Sequence, residues 1–330
     1  VKAKMTDLQR LALDVYQGKN VMFNEVSGED AIRKAINEAC GGVFNYKSFR
    51  ENKYKVFSIV EELLDVNLGV VITNQFDALA DVKNVAVGEK PSFRIEDASL
   101  FRIARIAGGT NDLRRQKILN RRFEVDTDYF GAKIYAELEM FIAGLVDWSS
   151  MVNRLSLSFA NDLGVRIYEA IANSYTALNA VYGVTGTYDE DKLFDMVQHV
   201  EAKAGGRKAV VMGTKKALRK VSKDLMANAS DAMKGSFNQV GYIGNVGGTD
   251  LVLLPQAHKV GTDEFFVDDN MLLVVPQNEK IVKVVVEGEA TMIEVADAGA
   301  RNDQQMEYLI QKKLGVGVMQ SAIYGIYKLQ

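Results

Sequence analysis

Ser92-Phe-Arg-Ile-Glu-Asp-Ala-Ser-Leu-Phe-Arg-Ile-Ala-Arg-Ile-Ala107 runs into Gly108-Gly-Thr-Asn-Asp-Leu-Arg-Arg-Gln-Lys117, and a second strand-like stretch follows from Ile118 to Leu138. Two long stretches of strand pattern thus flank a polar, basic tip. In the first, Phe101, Ile103 and Arg105 fall on one face and Arg102, Ala104 and Ile106 on the other. In the second, Phe123, Val125, Thr127 and Tyr129 alternate with Glu124, Asp126 and Asp128. Between Lys90 and Glu124 the cations are Lys90, Arg94, Arg102, Arg105, Arg114, Arg115, Lys117, Arg121 and Arg122; the acids are only Glu96, Asp97, Asp112 and Glu124. An isolated two-stranded ribbon has no core and is marginal in water. The pattern therefore predicts a cationic hairpin arm that leans on another surface, with a hairpin inside an ordinary mixed sheet as the plainer alternative.

The rest of the chain is acidic on balance, with a net charge of −3 and a pI near 5.7. That excludes the global basic footprint of a tight nucleic-acid binder and leaves room only for local, weak contact. At 330 residues and 48% hydrophobic content the chain can bury a large core, and its length suggests two or three domains. The longest apolar runs, such as Leu68 to Thr73 and Met271 to Pro276, fall far short of the ~20 residues of a bilayer crossing, so no membrane span or signal peptide is expected. Because the chain starts at Val1 and its first methionine is Met5, either a leader removed by processing or a trimmed numbering is expected.

Upstream of the hairpin, residues 1–88 read as helices and loops. Thr6 to Tyr16 is amphipathic; Ser27-Gly-Glu-Asp30 is a capping-box pattern opening a helix that Gly41-Gly42 closes; a third helix is predicted from about Tyr54 to Val66. The region is expected to be an extended arm with one long helix. Downstream, Leu145 to Leu178 is the clearest helix, with Trp148, Met151, Leu155, Phe159, Leu163, Ile167, Ile171, Tyr175 and Leu178 at intervals of three or four. Gly164 in its interior points to a bend or to close approach of another backbone.

An α/β block follows. Asp189 to Ala204 and Lys215 to Met226 read as helices; Lys208 to Met212, Thr249 to Leu254 and Met271 to Val275 read as buried strands. Ile281 to Val286 and Ala290 to Val295 form one strand pattern interrupted by Glu287-Gly-Glu289. In the last segment Gly315, Gly317 and Gly325 share one face of a strand, which predicts a groove for the backbone of the long helix.

The catalytic inventory is thin. The histidines are His199, mid-helix, and His258, in a loop; Cys40 is the single cysteine and reads as a small buried hydrophobe. No H-E-x-x-H, C-x-x-C, G-x-S-x-G or phosphate-loop motif is present. Gly241-Tyr-Ile-Gly-Asn-Val-Gly-Gly248 precedes a strand and lacks a lysine, so it reads as a tight turn. Asp263, Glu264, Asp268 and Asp269 lack the spacing of a calcium loop, and Lys215, Lys216, Arg219, Lys220 and Lys223 read as a solvated helix face. No catalytic, cofactor or metal residues are assigned, and the expectation is a protein that is not an enzyme.

The order of parts is the most telling feature: helical N-terminal region, long two-stranded loop, long helix, α/β block, long strand, glycine-rich C-terminal strand. It resembles the major capsid proteins of tailed bacteriophages, the Hong Kong 97 fold family shared with encapsulins. The closing sequence from Gln304 to Leu329, a charged stretch leading into a last strand, is similar to that family's final segment. The resemblance implies an α+β capsid fold with an N-terminal arm (1–88), an extended loop (89–136), a discontinuous peripheral domain (137–182 and 290–330) and an axial domain (183–289).

It also implies a function: a subunit that self-assembles as hexamers and pentamers into the icosahedral head of a tailed phage around double-stranded DNA. Packaged DNA would be touched weakly and non-specifically. Scaffolding, portal or decoration proteins are the implied partners, the virion is the implied location, and assembly is expected in the cytoplasm of the bacterial host. The alternative is an encapsulin-like nanocompartment shell around an enzyme cargo. Arg114, Arg115, Lys117, Arg121 and Arg122 at the loop tip are the expected contacts to an acidic surface on a neighbouring subunit, where arginine can form bidentate pairs. Lys90 and Lys117 lie in the region where some members of the family crosslink through a lysine, neither is matched to the reacting position, and that chemistry is not carried over.

Overall fold

A computed structural model describes residues 6–16, 28–95, 101–105, 115–117, 121–137, 148–225, 231–296, 305–319 and 323–330. Three helices open it: α1 (Asp7–Tyr16), α2 (Gly28–Ala39) and α3 (Tyr46–Phe76). Gly41 and Gly42, at φ +89° and +99°, end α2 in the left-handed conformation that glycine adopts without strain. Ser27, the proposed cap of α2, lies outside the described residues.

The third helix is much longer than Tyr54 to Val66. Asn45 and Ser48 form a capping box that starts it: the Ser48 N–H donates to Asn45 Oδ1 at 2.9 Å, and the Asn45 N–H donates to Ser48 Oγ at 3.0 Å. The buried stripe Phe49, Val56, Val60, Leu63, Leu64, Leu68, Ile72 and Phe76 carries it on for 31 residues, ~46 Å at ~1.5 Å per residue. That stripe is core. The expectation of an extended arm does not hold for α3, because these residues bury against the long helix α4 (Trp148–Ser174) and the sheets. Asn67 Nδ2 donates to Asn153 Oδ1 at 2.9 Å, bridging the two helices.

The described part of α4 carries the predicted stripe, with Leu155, Phe159, Leu163, Ile167 and Ile171 buried. Gly164 is explained by rings instead of backbone. A Cβ there would lie 3.1 Å from Phe76 Cζ and 3.2 Å from Phe266 Cε2.

Among the described residues, twelve strands form three sheets. β1 (Ala80–Val85), β4 (Asp128–Glu137), β10 (Val282–Ala296) and β11 (Gln305–Val318) make a four-stranded sheet in the order β1-β10-β11-β4, with β1 parallel to β10 and the other pairs antiparallel. β5 (Gly183–Gly186), β6 (Ala209–Gly213), β7 (Asn245–Val246), β8 (Thr249–Leu253), β9 (Met271–Pro276) and β12 (Gly325–Leu329) make a six-stranded sheet in the order β5-β12-β9-β6-β8-β7. Helices α5 (Glu190–Lys203), α6 (Lys215–Leu225) and α7 (Asp231–Val240) belong to this second part.

The six-stranded sheet is covered on both faces. Val210, Met212, Leu273 and Val275 join the core of α3 and α4; Val211, Leu272 and Val274 pack with Leu193, Val197 and Val200 of α5 and Leu218 and Val221 of α6. This explains the continuous apolar run of β9, whose six residues are all buried.

Sheet membership differs from the predicted partition at two places. β10 is one strand starting at Val282, so the 289/290 division passes through its interior; the reason is that the Glu287-Gly-Glu289 interruption is a bulge, with register shifting between Glu287 and Thr291. β12 leaves the four-stranded sheet's territory to pair with β5 and β9.

Candidate functional site: the basic ribbon and its anchor

The ribbon is held at its base. β2 (Ser92–Ile95) and β3 (Arg121–Glu124) pair antiparallel from Ser92↔Glu124 to Ile95↔Arg121. Above this short ladder one further rung is described. The Arg102 N–H donates to Gln116 Oε1 at 2.8 Å, and Gln116 Nε2 donates to the Arg102 carbonyl at 2.8 Å, so a side-chain amide stands in for a strand partner. Residues 101–105 form no regular strand, which corrects the expected ladder from Ser92 to Ala107. The physical reason is the lack of a surface to lean on. Ile103 is 98% exposed and Phe101 55% exposed, so their alternation buries nothing among the described residues.

The second predicted strand, Ile118 to Leu138, is also two strands. It breaks at Val125, Asp126 and Thr127, and β4 continues in another sheet, paired with β11. Those three residues occupy the glycine groove. A Cβ on Gly315 would stand 2.5 Å from the Asp126 carbonyl oxygen and 3.0 Å from Val125 Cγ1; one on Gly317 would stand 2.7 Å from the Phe123 ring. The groove of Gly315 and Gly317 therefore seats the foot of the ribbon and not the long helix. Gly325 lies apart from them, on β12 against Met196 of α5.

Phe93, Val125 and Val285, with Val85 and Phe123 against them, form a small separate core under the foot. Beside it sits Glu287, at the β10 bulge and only 5% exposed. It accepts the Gly88 N–H at 2.8 Å, Lys313 Nζ at 2.9 Å and the Thr127 hydroxyl. These donors, the Gly88 amide foremost, hold its carboxyl down at about 2. The same bond raises the Lys313 ammonium above its usual value, and Lys313 also lies 4.7 Å above the Tyr129 ring.

The bulge is tied to α3 as well. Lys312, 4% exposed, donates to Asp65 Oδ1 at 2.5 Å and to the Gly288 carbonyl at 2.7 Å. Asp65 accepts the Ala290 N–H with both oxygens at 3.0 Å, and Glu61 accepts the Met292 N–H at 2.5 Å. Burial pushes the Glu61 carboxyl up. One bulge thus joins α3, β11, the turn at Gly88 and the ribbon foot through buried polar contacts.

Of the five expected tip residues, Arg115, Lys117 and Arg122 are exposed; Arg121 is placed in β3, with only its backbone described; Arg114 lies outside the described residues. Among the described residues no carboxylate pairs with Arg102, Arg105, Arg115, Lys117 or Arg122. The anchor was missed by sequence reading. Its one visible signal was Glu287-Gly-Glu289 inside a strand pattern, which marked the bulge but not its partners.

The residues considered for chemistry are dispersed. Cys40 is buried, and burial raises its thiol. His199 lies 3.9 Å from Asp195 on its own helix, and His258 packs against the Phe265 ring at 4.9 Å. Gly241 to Gly248 turns into β7 and β8, with Gly241, Gly247 and Gly248 at positive φ. Asp269 faces Lys216 at 3.6 Å, Glu264 faces Lys259 at 3.6 Å, and Lys220 donates to Asn270 Oδ1 at 2.9 Å. Among the described residues no group of three or more His, Cys, Asp or Glu could hold a metal, and no helix is long and apolar enough to cross a membrane.

A family model described as "SPbeta prophage-derived putative capsid protein YonB" matches residues 7–328. No curated protein matches. Among solved structures, the chain is similar to the capsid of the cyanophage P-SCSP1u at 14% identity and TM-score 0.47, over 77% of this chain and 88% of that one. It is similar to the mature capsid of bacteriophage PhiM1 at 14% identity and TM-score 0.49, over 77% and 86%. A virus-like particle from Pyrococcus furiosus is similar at 15% identity and TM-score 0.43, over 82% and 98%.

Proposed function

Because the chain belongs to the YonB family of prophage-derived capsid proteins, we propose that it builds the icosahedral head of a tailed phage as hexamers and pentamers enclosing double-stranded DNA. The observation that carries this reading is a surplus of unsatisfied ribbon surface on a rigid foot. Ile103 and Phe101 are exposed, the cations beside them lack carboxylate partners among the described residues, and the foot below is locked by the Glu287 contacts. A segment so anchored at one end and bare at the other suits reaching a neighbour. Many such contacts sum across a closed shell, so each can be weak.

In this reading 89–136 is the extended loop, 137–182 with 290–330 the peripheral domain, and 183–289 the axial domain, with β10 and β12 crossing those limits. The helical segment 1–88 is the N-terminal part, its α3 folded into the core. Arg114, Arg115, Lys117, Arg121 and Arg122 meet the neighbouring subunit. Scaffolding, portal or decoration proteins are the further partners, and DNA contact is weak, in keeping with a net charge of −3. The role is structural, not enzymatic, and the prophage family match favours a virion over a cargo-holding compartment.

Electron microscopy and light scattering of the purified full chain test the proposal. Closed shells are the expected result. A chain that stays monomeric both alone and with an added scaffolding protein would overturn it.

A further inference from the structure

β4 is an open edge. It ends the order β1-β10-β11-β4 and pairs with β11 from Leu314↔Asp128 to Gln305↔Glu137 without a register shift. Among the described residues, the backbone of Asp128–Glu137 makes no hydrogen bond outside that ladder. At 10 residues β4 is long for an edge, and the devices that usually blunt one are missing. It holds no proline and no bulge, and its lysine, Lys133, is engaged by Glu307 at 2.5 Å. The opposite edge, β1, is 6 residues long.

Both faces of β4 are incomplete as well. On the inner face Phe130, Ala132 and Ile134 pack against the main core yet stay partly open. On the outer face Tyr129 and Tyr135 are each 68% exposed, and the exposed Gly131 lies between them. One further strand would flank the inner set and lay a side chain over the gap at Gly131, as cross-strand neighbours do beside an edge glycine. Strand addition supplies main-chain bonds and alternate side-chain contacts together.

The charge beside the edge says what kind of strand fits. Where β4 begins, an open groove of about 280 Å³ against α4 is lined by Asp126, Asp128 and Glu169. Arg166 of the same groove is held by Asp162 at 2.8 Å, and among the described residues no cation pairs with Asp126 or Asp128. A second β4 brings no cation to them, because its Lys133 is already taken by Glu307.

We infer that the β4 edge accepts an extended segment of a separate protein as an added strand, β-branched at alternate positions and basic where it passes Asp126 and Asp128. The inference goes beyond the shell reading and does not depend on it. It gives a partner a point of attachment on the four-stranded sheet.

The test uses the full chain in its unassembled form. The probe is a synthetic peptide of β4's own length, 10 residues, alternating valine and threonine and ending in lysines. A second peptide ends in glutamates, and a third is the lysine peptide fully N-methylated, with no N–H to donate. Amide hydrogen exchange follows β4 residue by residue. The lysine peptide is expected to slow exchange at alternate residues of Asp128–Glu137 and to bind at least ~10-fold more tightly than the glutamate peptide. D126K/D128K is expected to invert that preference at an unchanged melting temperature, and the N-methylated peptide to protect nothing. Should that variant fold poorly, the preference of the native chain decides alone.

No protection of β4 at ~1 mM lysine peptide, or equal protection by the N-methylated one, overturns strand addition. Equal affinity for the two charged peptides overturns the basic partner. Edge amides already protected in the free subunit, or dimers joined through β4, also overturn the inference, since the chain itself or a second copy would then cover the edge.

Discussion

β9 and the ribbon use similar residues to opposite ends. Met271 to Pro276 is apolar at every position and wholly buried, covered by helices on both faces. Phe101 to Arg105 is also rich in apolar side chains, yet all five residues are exposed. The first stretch finds its cover within the chain and becomes a regular strand. Among the described residues the second finds none and pairs only through one glutamine side chain. Apolar residues alone do not determine where a segment goes; the surface available to cover them does.

The comparison can be broken most forcefully at the core. Leu273→Ala in β9 is expected to cost about 2–5 kcal/mol, read by urea denaturation of the unassembled subunit, because the fully buried side chain leaves a cavity that packed neighbours fill poorly. A cost near zero would mean that the six-stranded sheet is not the covered element described here.

The anchor lies between the two extremes. Lys312→Ala leaves Asp65 facing the bulge without its cation and is expected to cost about 3 kcal/mol in the same assay, at the low end for a broken buried pair because Asp65 is partly exposed.

Glu287 sharpens the comparison through pH. Its folded value of about 2 lies below the ordinary 4.5, so the stability it contributes is fully present above about pH 4.5 and is lost as pH falls towards 2. Native protein and Glu287→Gln should therefore differ in melting temperature near neutral pH, and the gap should close through that acid window. A gap that stays constant down to pH 2 would exclude the carboxylate's charge as the source.

The smallest effect on folding is expected on the ribbon. Ile103→Ser should change subunit stability by no more than ~0.5 kcal/mol, as for exposed positions generally, while reducing assembled material in a sedimentation assay. If it destabilised the isolated subunit as Leu273→Ala does, the ribbon would have an in-chain partner and the contrast with β9 would collapse.

Periodicity exposed the elements whose burial is internal. The stripe of α4, the helix α5, and the strands β6, β8 and β9 were legible because each residue's partner lies on the same chain at a regular repeat. The true length of α3 was not, since its first turns depend on the Asn45–Ser48 capping box and its last on the approach of Phe76 to Gly164 of α4. Gly315 and Gly317 announced a close approach without saying of what. The Val125–Thr127 break was hidden because a strand that changes sheets keeps its alternation. The site was legible as charge at the tip and invisible at the foot, where Glu287, Lys313 and Gly88 meet only after folding.

Those contacts also set a schedule. Gly88 and Glu287 are separated by 199 positions, and Thr127 and Glu287 by 160, so the foot of the ribbon closes onto residues made long after the ribbon itself. During synthesis from the N-terminus the ribbon emerges without its seat, and the seat is complete only when β11 supplies Lys313 and the two glycines. An unfinished chain therefore carries a ribbon with nothing to aim it, and its exposed apolar and cationic stretch becomes a directed arm only once nearly all the polypeptide exists.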